Sequence, residues 1–526
     1  MKKKWVSLLL VLAVALTLFG CDSGTPAESS QPSDTTGGAA EATPISIDKS
    51  LLGNPIAGFD GDGELAYGGD PSVLVVDDTV YLYVGHDTST TDAYVMPEYL
   101  CYSTTDLVTW NYEGVVLSTS DVSWADNNSA WAGQVARHYD AESGQDMYYF
   151  YYCSWNSQDG GRQSIGVAVS DSPTGTFVDI GSALIMGSFT TDETSTWNDI
   201  DPTLWIETDD SGEEHRYLAW GNSKLYMCEL NEDMVSVKDI DGDGQVTFGT
   251  DVVSQKLPSV YTEGPYLYRR QDENGNYYGD YYLFYASSWR EYLAYSTCDD
   301  LMEGDWIYGD QVMYPTATSN TNHPAVFDFQ GNTYMIYHNG SLDGGSGYRR
   351  VACIEQIEFE SDGTVTYIQE TATGVSGTYS TITSLNGDAL AHAAFNNSAS
   401  DTAYPYTDIA LGSGLEKTSE EDTWWEIVPG KADTENEYYV SLESYNKAGL
   451  YITCGDGTVV LCQNHDSTMA ELQTFQTCTG LAGEGVSFES VTYPGMYLTL
   501  SGGAATLTDG SDTAACTFQI AAVPTE

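Results

Sequence analysis

Three carboxylates stand at matching points of a repeat: Asp70, Asp201 and Glu263. Each heads a short proline turn, in Asp70-Pro71-Ser72, Asp201-Pro202 and Glu263-Gly264-Pro265. Carboxyl groups so arranged suit the cleavage of a glycosidic bond. One must be protonated, to release the leaving oxygen. A second must be ionised, to activate water or to attack the sugar. One Asp-Pro alone is ordinarily a turn; three at equivalent repeat positions point to function. Trp131-Ala132 and His323-Pro324 complete a set of five heads. Asp70 follows Gly68-Gly69, where another chain segment can come close. The prolines after Asp70 and Asp201 predict extended backbone at each strand entry. Gly264-Pro265 is a similar brace for Glu263.

The elements that must position these groups are marked by tyrosine. The motifs VYLY (80–83), YYFY (148–151), YLAW (217–220), YLFY (282–285) and YMIY (334–337) each follow one head. Their last residues are spaced by 68, 69, 65 and 52 positions. A period near 60 residues predicts a stacked or circular architecture. A circular one brings five heads, three of them carboxylates, to one axis. After each of the first four motifs comes a strand, an acidic turn and a return, as in YSTTDLVTW (102–110) and YSTCDDLMEGDW (295–306). Each unit thus supplies about four short strands, which is a propeller blade.

Composition agrees. The 526 residues include 39 Tyr, 12 Trp and 52 Gly, enough chain for two domains with cores of their own. Aromatic, β-branched and Gly-rich sequence predicts an all-β protein. Lys plus Arg number 18 against 77 Asp plus Glu, a net charge of −59. Phosphate would be repelled, which excludes nucleic acid and anionic membrane surfaces as partners.

The first twenty residues read as a targeting segment. Lys2 to Lys4 form a basic start and Trp5–Phe19 an apolar run too short for a lasting span. The run ends Leu18-Phe19-Gly20-Cys21, which resembles the bacterial lipobox. That resemblance implies cleavage before Cys21 and a lipid anchor on its thiol, hence an extracellular, cell-surface lipoprotein of a bacterium. Membrane contact is then through the anchor alone. Residues 21–45 read as a flexible tether, poor in apolar side chains. Nine cysteines remain, with no CxxC pair for zinc. A disulfide or two is expected only among Cys454, Cys462, Cys478 and Cys516.

A propeller is expected over 46–376. The chain from Asn54 to Val365 resembles glycoside hydrolase family 43, the five-bladed propeller hydrolases. The motifs that carry the resemblance are GGDPSVLVVDDTVYLYVGHD (68–87), AWAGQV (130–135), DIDPTLW (199–205), YTEGPYLY (261–268), TNHPAVFDFQGNTYMIYHNG (321–340) and GSGYRRVACIEQ (345–356). Within the family the Gly85-His86-Asp87 turn, the Thr262-Glu263-Gly264-Pro265 run and the Asn322-His323-Pro324 turn look most like arabinoxylan arabinofuranohydrolases. These remove α-L-arabinofuranosyl branches from xylan, so the implied partner is a plant cell-wall polysaccharide. β-Xylosidases and arabinan-cleaving members share most of the same motifs. A catalytically dead glycan-binding lipoprotein is the alternative of another class.

The resemblance implies an inverting reaction. Asp70 would be the general base, Glu263 the general acid, and Asp201 the group that orients the acid and adjusts its pKa. Arg350 would hold Glu263 or Asp201 in register by a bidentate contact. Trp131, His86 and Asp87 are candidates for substrate binding. His323 resembles the family histidine at the propeller axis, near a bound calcium or other cation. Separately, Asp239, Asp241 and Asp243 with Gly244 resemble the start of an EF-hand-type calcium loop, although position 12 is Thr250. No organic cofactor is implied.

Beyond 375 the rhythm changes. Val440-Ser441-Leu442-Glu443-Ser444 recurs as Val486-Ser487-Phe488-Glu489-Ser490, and Tyr451-Ile452-Thr453 as Tyr497-Leu498-Thr499. Thr423-Trp424, Thr474-Phe475 and Thr517-Phe518 mark three unit ends. Three such repeats predict a β-trefoil over 380–523. The segment resembles the arabinofuranosidase-type carbohydrate-binding module family 42. That resemblance points to His392 with Asp466 and Asp512 as sugar-binding residues, and the histidine is lost from two of three repeats.

Overall fold

Each tyrosine motif is the second strand of a blade. The computed structural model describes residues 42–524, apart from 127, 142, 191–195, 210, 259, 273, 394–408, 416–418, 456–457 and 465–467. Blade one is β1 (Gly68–Val76), β2 (Thr79–His86), β3 (Glu98–Thr104) and β4 (Asn111–Ser118). Blade two is β5 (Gly133–Asp140), β6 (Gln145–Asn156), β7 (Arg162–Ser170) and β8 (Val178–Asp179). Blade three is β9 (Thr203–Thr208), β10 (Glu214–Trp220), β11 (Leu225–Glu229) and β12 (Val252–Gln255). Blade four is β13 (Glu263–Gln271), β14 (Tyr277–Ser287), β15 (Tyr292–Cys298) and β16 (Ile307–Met313). Blade five has three strands, β17 (Ala325–Phe329), β18 (Asn332–Asn339) and β19 (Val351–Ile357). Within every blade the strands pair antiparallel in chain order.

The first strands touch in a circle: β1 with β5, β5 with β9, β9 with β13, β13 with β17, and β17 with β1. This is a five-bladed β-propeller. A blade is covered on both faces by its neighbours, so its middle strands are apolar throughout rather than alternating. The motif ends Tyr83, Tyr151, Trp220, Tyr285 and Tyr337 are all fully buried there. Tyr83, Tyr99, Phe150 and Tyr152 fill the seam between blades one and two. Tyr151, Val167, Trp220 and Tyr226 fill the next. The ring closes where the Ile56 N–H bonds the Ala352 carbonyl at 2.9 Å and the Gly68 N–H bonds the Arg350 carbonyl at 2.7 Å. The start of the chain thus lends an edge to the last blade, which has one strand fewer than the rest.

The remaining strands are β20 (Ser380–Ser384), β21 (Ala391–His392), β22 (Ile409–Gly412), β23 (Trp424–Pro429), β24 (Tyr439–Ser444), β25 (Leu450–Cys454), β26 (Val459–Gln463), β27 (Phe475–Thr479), β28 (Val486–Ser490), β29 (Tyr497–Ser501), β30 (Ala504–Thr508) and β31 (Phe518–Ala522). Pairing of β22 with β30 closes ten of them into a barrel. The three unit ends open β23, β27 and β31, so the repeat was legible in the sequence. Trp425, Leu442, Ile452, Phe475, Phe488, Leu498 and Phe518 form its core.

Two expectations change. The stretch 43–50, placed with the tether and propeller, runs along the barrel instead. The Ile45 N–H bonds the Thr477 carbonyl at 3.0 Å and the Ser50 N–H bonds the Ile427 carbonyl at 2.8 Å. All nine described cysteines are free and buried, so no disulfide joins the four C-terminal ones. They serve as small core side chains. Cys21 and the leader lie outside the described residues.

Candidate active site

The heads converge because each precedes or opens an innermost strand. The backbone there is not extended as predicted. Asp70, Asp201 and Gly264, the three residues before proline, have φ of 54°, 59° and 63°. Two non-glycine residues thus sit in the left-handed region, a conformation that persists where the surroundings enforce it. Proline disfavours the right-handed α region for its predecessor and here leaves the left-handed one in use. The pairing register of β1 slips between Gly69 and Ser72, and that of β13 between Glu263 and Tyr266. Both bulges turn a carboxyl off the strand and toward the axis.

A cavity of about 310 Å³ opens above these heads, within the size range of small-molecule sites. Asp70, Asp201, Glu263, Trp131 and Arg350 line it. So do residues that sequence reasoning missed, chiefly Tyr94, Trp197, Asn222, Trp289 and Glu291. Trp289 and Trp197 are 65% and 52% exposed, two indoles presented to solvent at the rim.

The carboxyls differ in their surroundings. The Arg350 Nη1 donates to Asp70 Oδ1 at 2.6 Å, while its Nε and Nη2 clasp Asp87 at 2.8 and 3.0 Å. Arg350 therefore grips Asp70 and Asp87, not Glu263 or Asp201 as expected. Asp87 lies buried beneath the arginine and does not line the cavity. A Cβ on Gly69 would sit 2.2 Å from the guanidinium, so only glycine lets the arginine reach through. The Asp70 N–H donates to His338 Nδ1 at 3.1 Å. Burial alone would raise the Asp70 pKa, but Arg350, with His338 and His323 beside it, outweighs burial and holds the carboxyl below the ordinary range.

The other acids go the opposite way. Burial, then the Asp70 charge, raises the Glu263 pKa. Burial, then the charges of Glu263 and Asp70, pushes Asp201 well up. Asn222 Nδ2 donates to Glu263 Oε2 at 2.6 Å. Asp201 Oδ2 accepts from the Gly264 N–H at 2.9 Å, pinning the strand entry that carries the acid. One carboxyl is pushed toward ionisation and the others toward retaining a proton, the division that general acid/base work requires.

Other expected residues lie elsewhere. His86 pairs with Glu98 at 2.9 Å, away from the cavity lining. His323 is buried, 4.0 Å from Asp70 Oδ1, and burial lowers its pKa to about 4. One neutral imidazole is a poor holder for a hard cation, which prefers several oxygens. Asp239, Asp241 and Asp243 do converge, with ligand atoms within 4.8 Å of one another. These all-oxygen donors fit calcium, although the Gly242 and Gly244 N–H groups already bond Asp239. In the barrel, His392 is fully buried and bonded to Asn446 at 3.0 Å, so its ring offers no face to a sugar. Asp512 is exposed and accepts from the Ala515 N–H at 3.3 Å. Asp466 lies outside the described residues.

Residues 66–365 match the family described as glycosyl hydrolases family 43. Residues 396–519 match the alpha-L-arabinofuranosidase B domain. The arabinoxylan arabinofuranohydrolase of Paenibacillus polymyxa is 26% identical over 59% of this chain, a match that spans 51% of that protein. The xylosidase/arabinosidase of Bacteroides ovatus is 26% identical over 58% of this chain and 95% of its own. A beta-D-galactofuranosidase of Aspergillus niger is 26% identical over 52% and 76%. Among solved structures, an alpha-L-arabinofuranosidase of Clostridium thermocellum is 28% identical, with a TM-score of 0.45 over 60% of this chain and 95% of its own. With its propeller, its carboxyls and more than half its length matched, the chain belongs to glycosyl hydrolases family 43 and is a glycosidase that carries a C-terminal arabinofuranosidase B domain.

Proposed function

We propose that the protein removes α-L-arabinofuranosyl side chains from arabinoxylan by an inverting general acid/base mechanism. One observation carries this: Asp70, gripped by Arg350, and Glu263, set among further acids, face one cavity with their pKa values pushed in opposite directions. Asp70 takes a proton from the attacking water. Glu263 gives one to the leaving oxygen of the xylose unit. Asp201 fixes the acid through the Gly264 N–H. Trp197 and Trp289 offer flat apolar faces to the xylan chain outside the cavity. The arabinofuranosidase B domain and the name of the Paenibacillus relative support an arabinose-containing substrate.

A second reading, exo-acting β-xylosidase or arabinan-cleaving activity, is favoured by relatives named xylosidase/arabinosidase. The test is to incubate the protein with arabinoxylan, linear xylan and arabinan and identify the sugars released. Arabinose from arabinoxylan supports the first reading. Xylose from linear xylan with no arabinose from arabinoxylan replaces it with the second.

Calcium held by Asp239, Asp241 and Asp243 would brace that loop and supply nothing to the reaction. The lipobox-like run at Cys21 supports a lipid-anchored protein on a bacterial surface. A Cys21→Ala variant is then released from the membrane fraction.

A further inference from the structure

A fourth carboxyl lines the cavity with the acid. Glu291 stands on the turn between β14 and β15, outside every repeat head. Ser288 of that turn has φ of 66°. Within three residues the turn presents the Trp289 indole to solvent and returns Glu291 to the cavity at 3% exposure. The Asn322 N–H donates to Glu291 Oε2 at 2.8 Å, and the Glu291 N–H bonds the Asn320 carbonyl at 3.1 Å. Glu291 and Glu263 line the same cavity, and the Glu263 carboxyl is near enough to raise the pKa of Glu291. Two neighbouring carboxylates repel each other, which favours a proton held on the pair.

We propose that Glu291 is the positioning partner of the general acid, holding Glu263 in place and keeping a proton on the pair until the leaving oxygen takes it. The inference rests on Glu263 being that acid. In the step, the glycosidic C–O bond breaks and the Glu263 proton forms the new O–H. The pair then carries one more negative charge and recovers a proton from solvent.

The surroundings of the pair favour this. Asp201 before β9 and Asp70 in β1 add negative charge, and Tyr94 adds none while neutral. The Arg350 guanidinium bonds Asp70 and Asp87, and at longer range its charge opposes the rise at Glu263 without cancelling it. Arg290 turns its Nη2 to the Thr316 carbonyl at 2.7 Å. His323 is neutral above about pH 4. Burial and then Glu263 push the Glu291 pKa well up.

The test is the pH dependence of kcat/KM for Glu291→Gln. Glutamine removes the negative charge, and its amide donates to the Glu263 carboxylate, which favours ionisation. The alkaline limb should therefore move toward lower pH by about one unit or more. The loss should be larger for aglycones that leave poorly than for a dinitrophenyl glycoside, which needs no proton. Glu291→Asp should restore part of the limb. A structural role would lower the rate at every pH and for every leaving group alike. An unmoved limb overturns the proposal. Should Glu291→Gln not fold, ¹³C-glutamate NMR of the wild type decides. It should show two carboxyls titrating in linked steps, one of which disappears in Glu263→Gln; independent titrations at ordinary values overturn the proposal. If Glu263→Gln itself keeps full activity on poor leaving groups, the acid assignment falls first.

Discussion

At the scale of single residues, chemistry follows from how each carboxyl is surrounded. Asp70 has the buried Arg350 guanidinium; Glu263 has burial and other acids. The kcat/KM profile should then be a bell. Activity falls on the acid side as Asp70 protonates, below the ordinary carboxylate range. It falls on the alkaline side as Glu263 ionises, above that range. Asp70→Asn and Glu263→Gln should each cost about 10²–10⁴-fold in kcat with native thermal unfolding retained. Trp289→Ala should raise KM for arabinoxylan and leave a small aryl glycoside nearly unchanged, since the indole stands outside the sugar cavity. The three repeat carboxylates were legible because the repeat itself marked them. Glu291 and Asn222 were not, because they lie on turns between strands, where no period applies. The grip of Arg350 on Asp70 was misassigned, because the chain gives order but not the axis distances that choose among three acids.

At the scale of elements, the bulges at Asp70 and Glu263 aim the chemistry, and glycine makes room for it. Gly69→Ala places a methyl group against the Arg350 guanidinium. The arginine must move and Asp70 loses its counter-charge. The acid limb of kcat/KM should shift to higher pH, while the alkaline limb stays in place. An unchanged profile would show that Arg350 does not set the Asp70 pKa. The tyrosine repeat and the acidic turns after it gave the blades correctly, because buried aromatic strands need neighbours on both faces. The left-handed backbone before proline was not foreseen. At Asp70 and Gly264 it goes with a register slip, which is a property of two strands together.

At the scale of the whole molecule, propeller and barrel are tied through the loop after β18. Gln463 Nε2 donates to the Gly340 and Gly345 carbonyls at 2.8 and 3.1 Å. Lys431 reaches Asp343 at 2.7 Å, and the Ala372 N–H bonds the Tyr445 carbonyl at 2.8 Å. Calorimetry should therefore show one unfolding transition; two separated ones would mean independent domains. Buried acids predict the pH trend. Burial raises Asp199 to about 7 and Glu355 to about 8. A carboxyl raised on folding gives its stability in full below the unfolded pKa and loses it as pH rises through the folded value. The Tm should fall between about pH 4.3 and 8. The barrel's repeats were legible in the sequence, but its hold on the propeller loop was not, since those contacts join residues far apart in the chain that no repeat relates. The central claim is that Asp70 and Glu263 act on an α-arabinofuranosyl bond with inversion. Time-resolved ¹H NMR of arabinose release from arabinoxylan tests it most directly. The account predicts β-arabinofuranose as the first-formed anomer, with none from Glu263→Gln. The α anomer appearing first, or an undiminished signal from the variant, would contradict it.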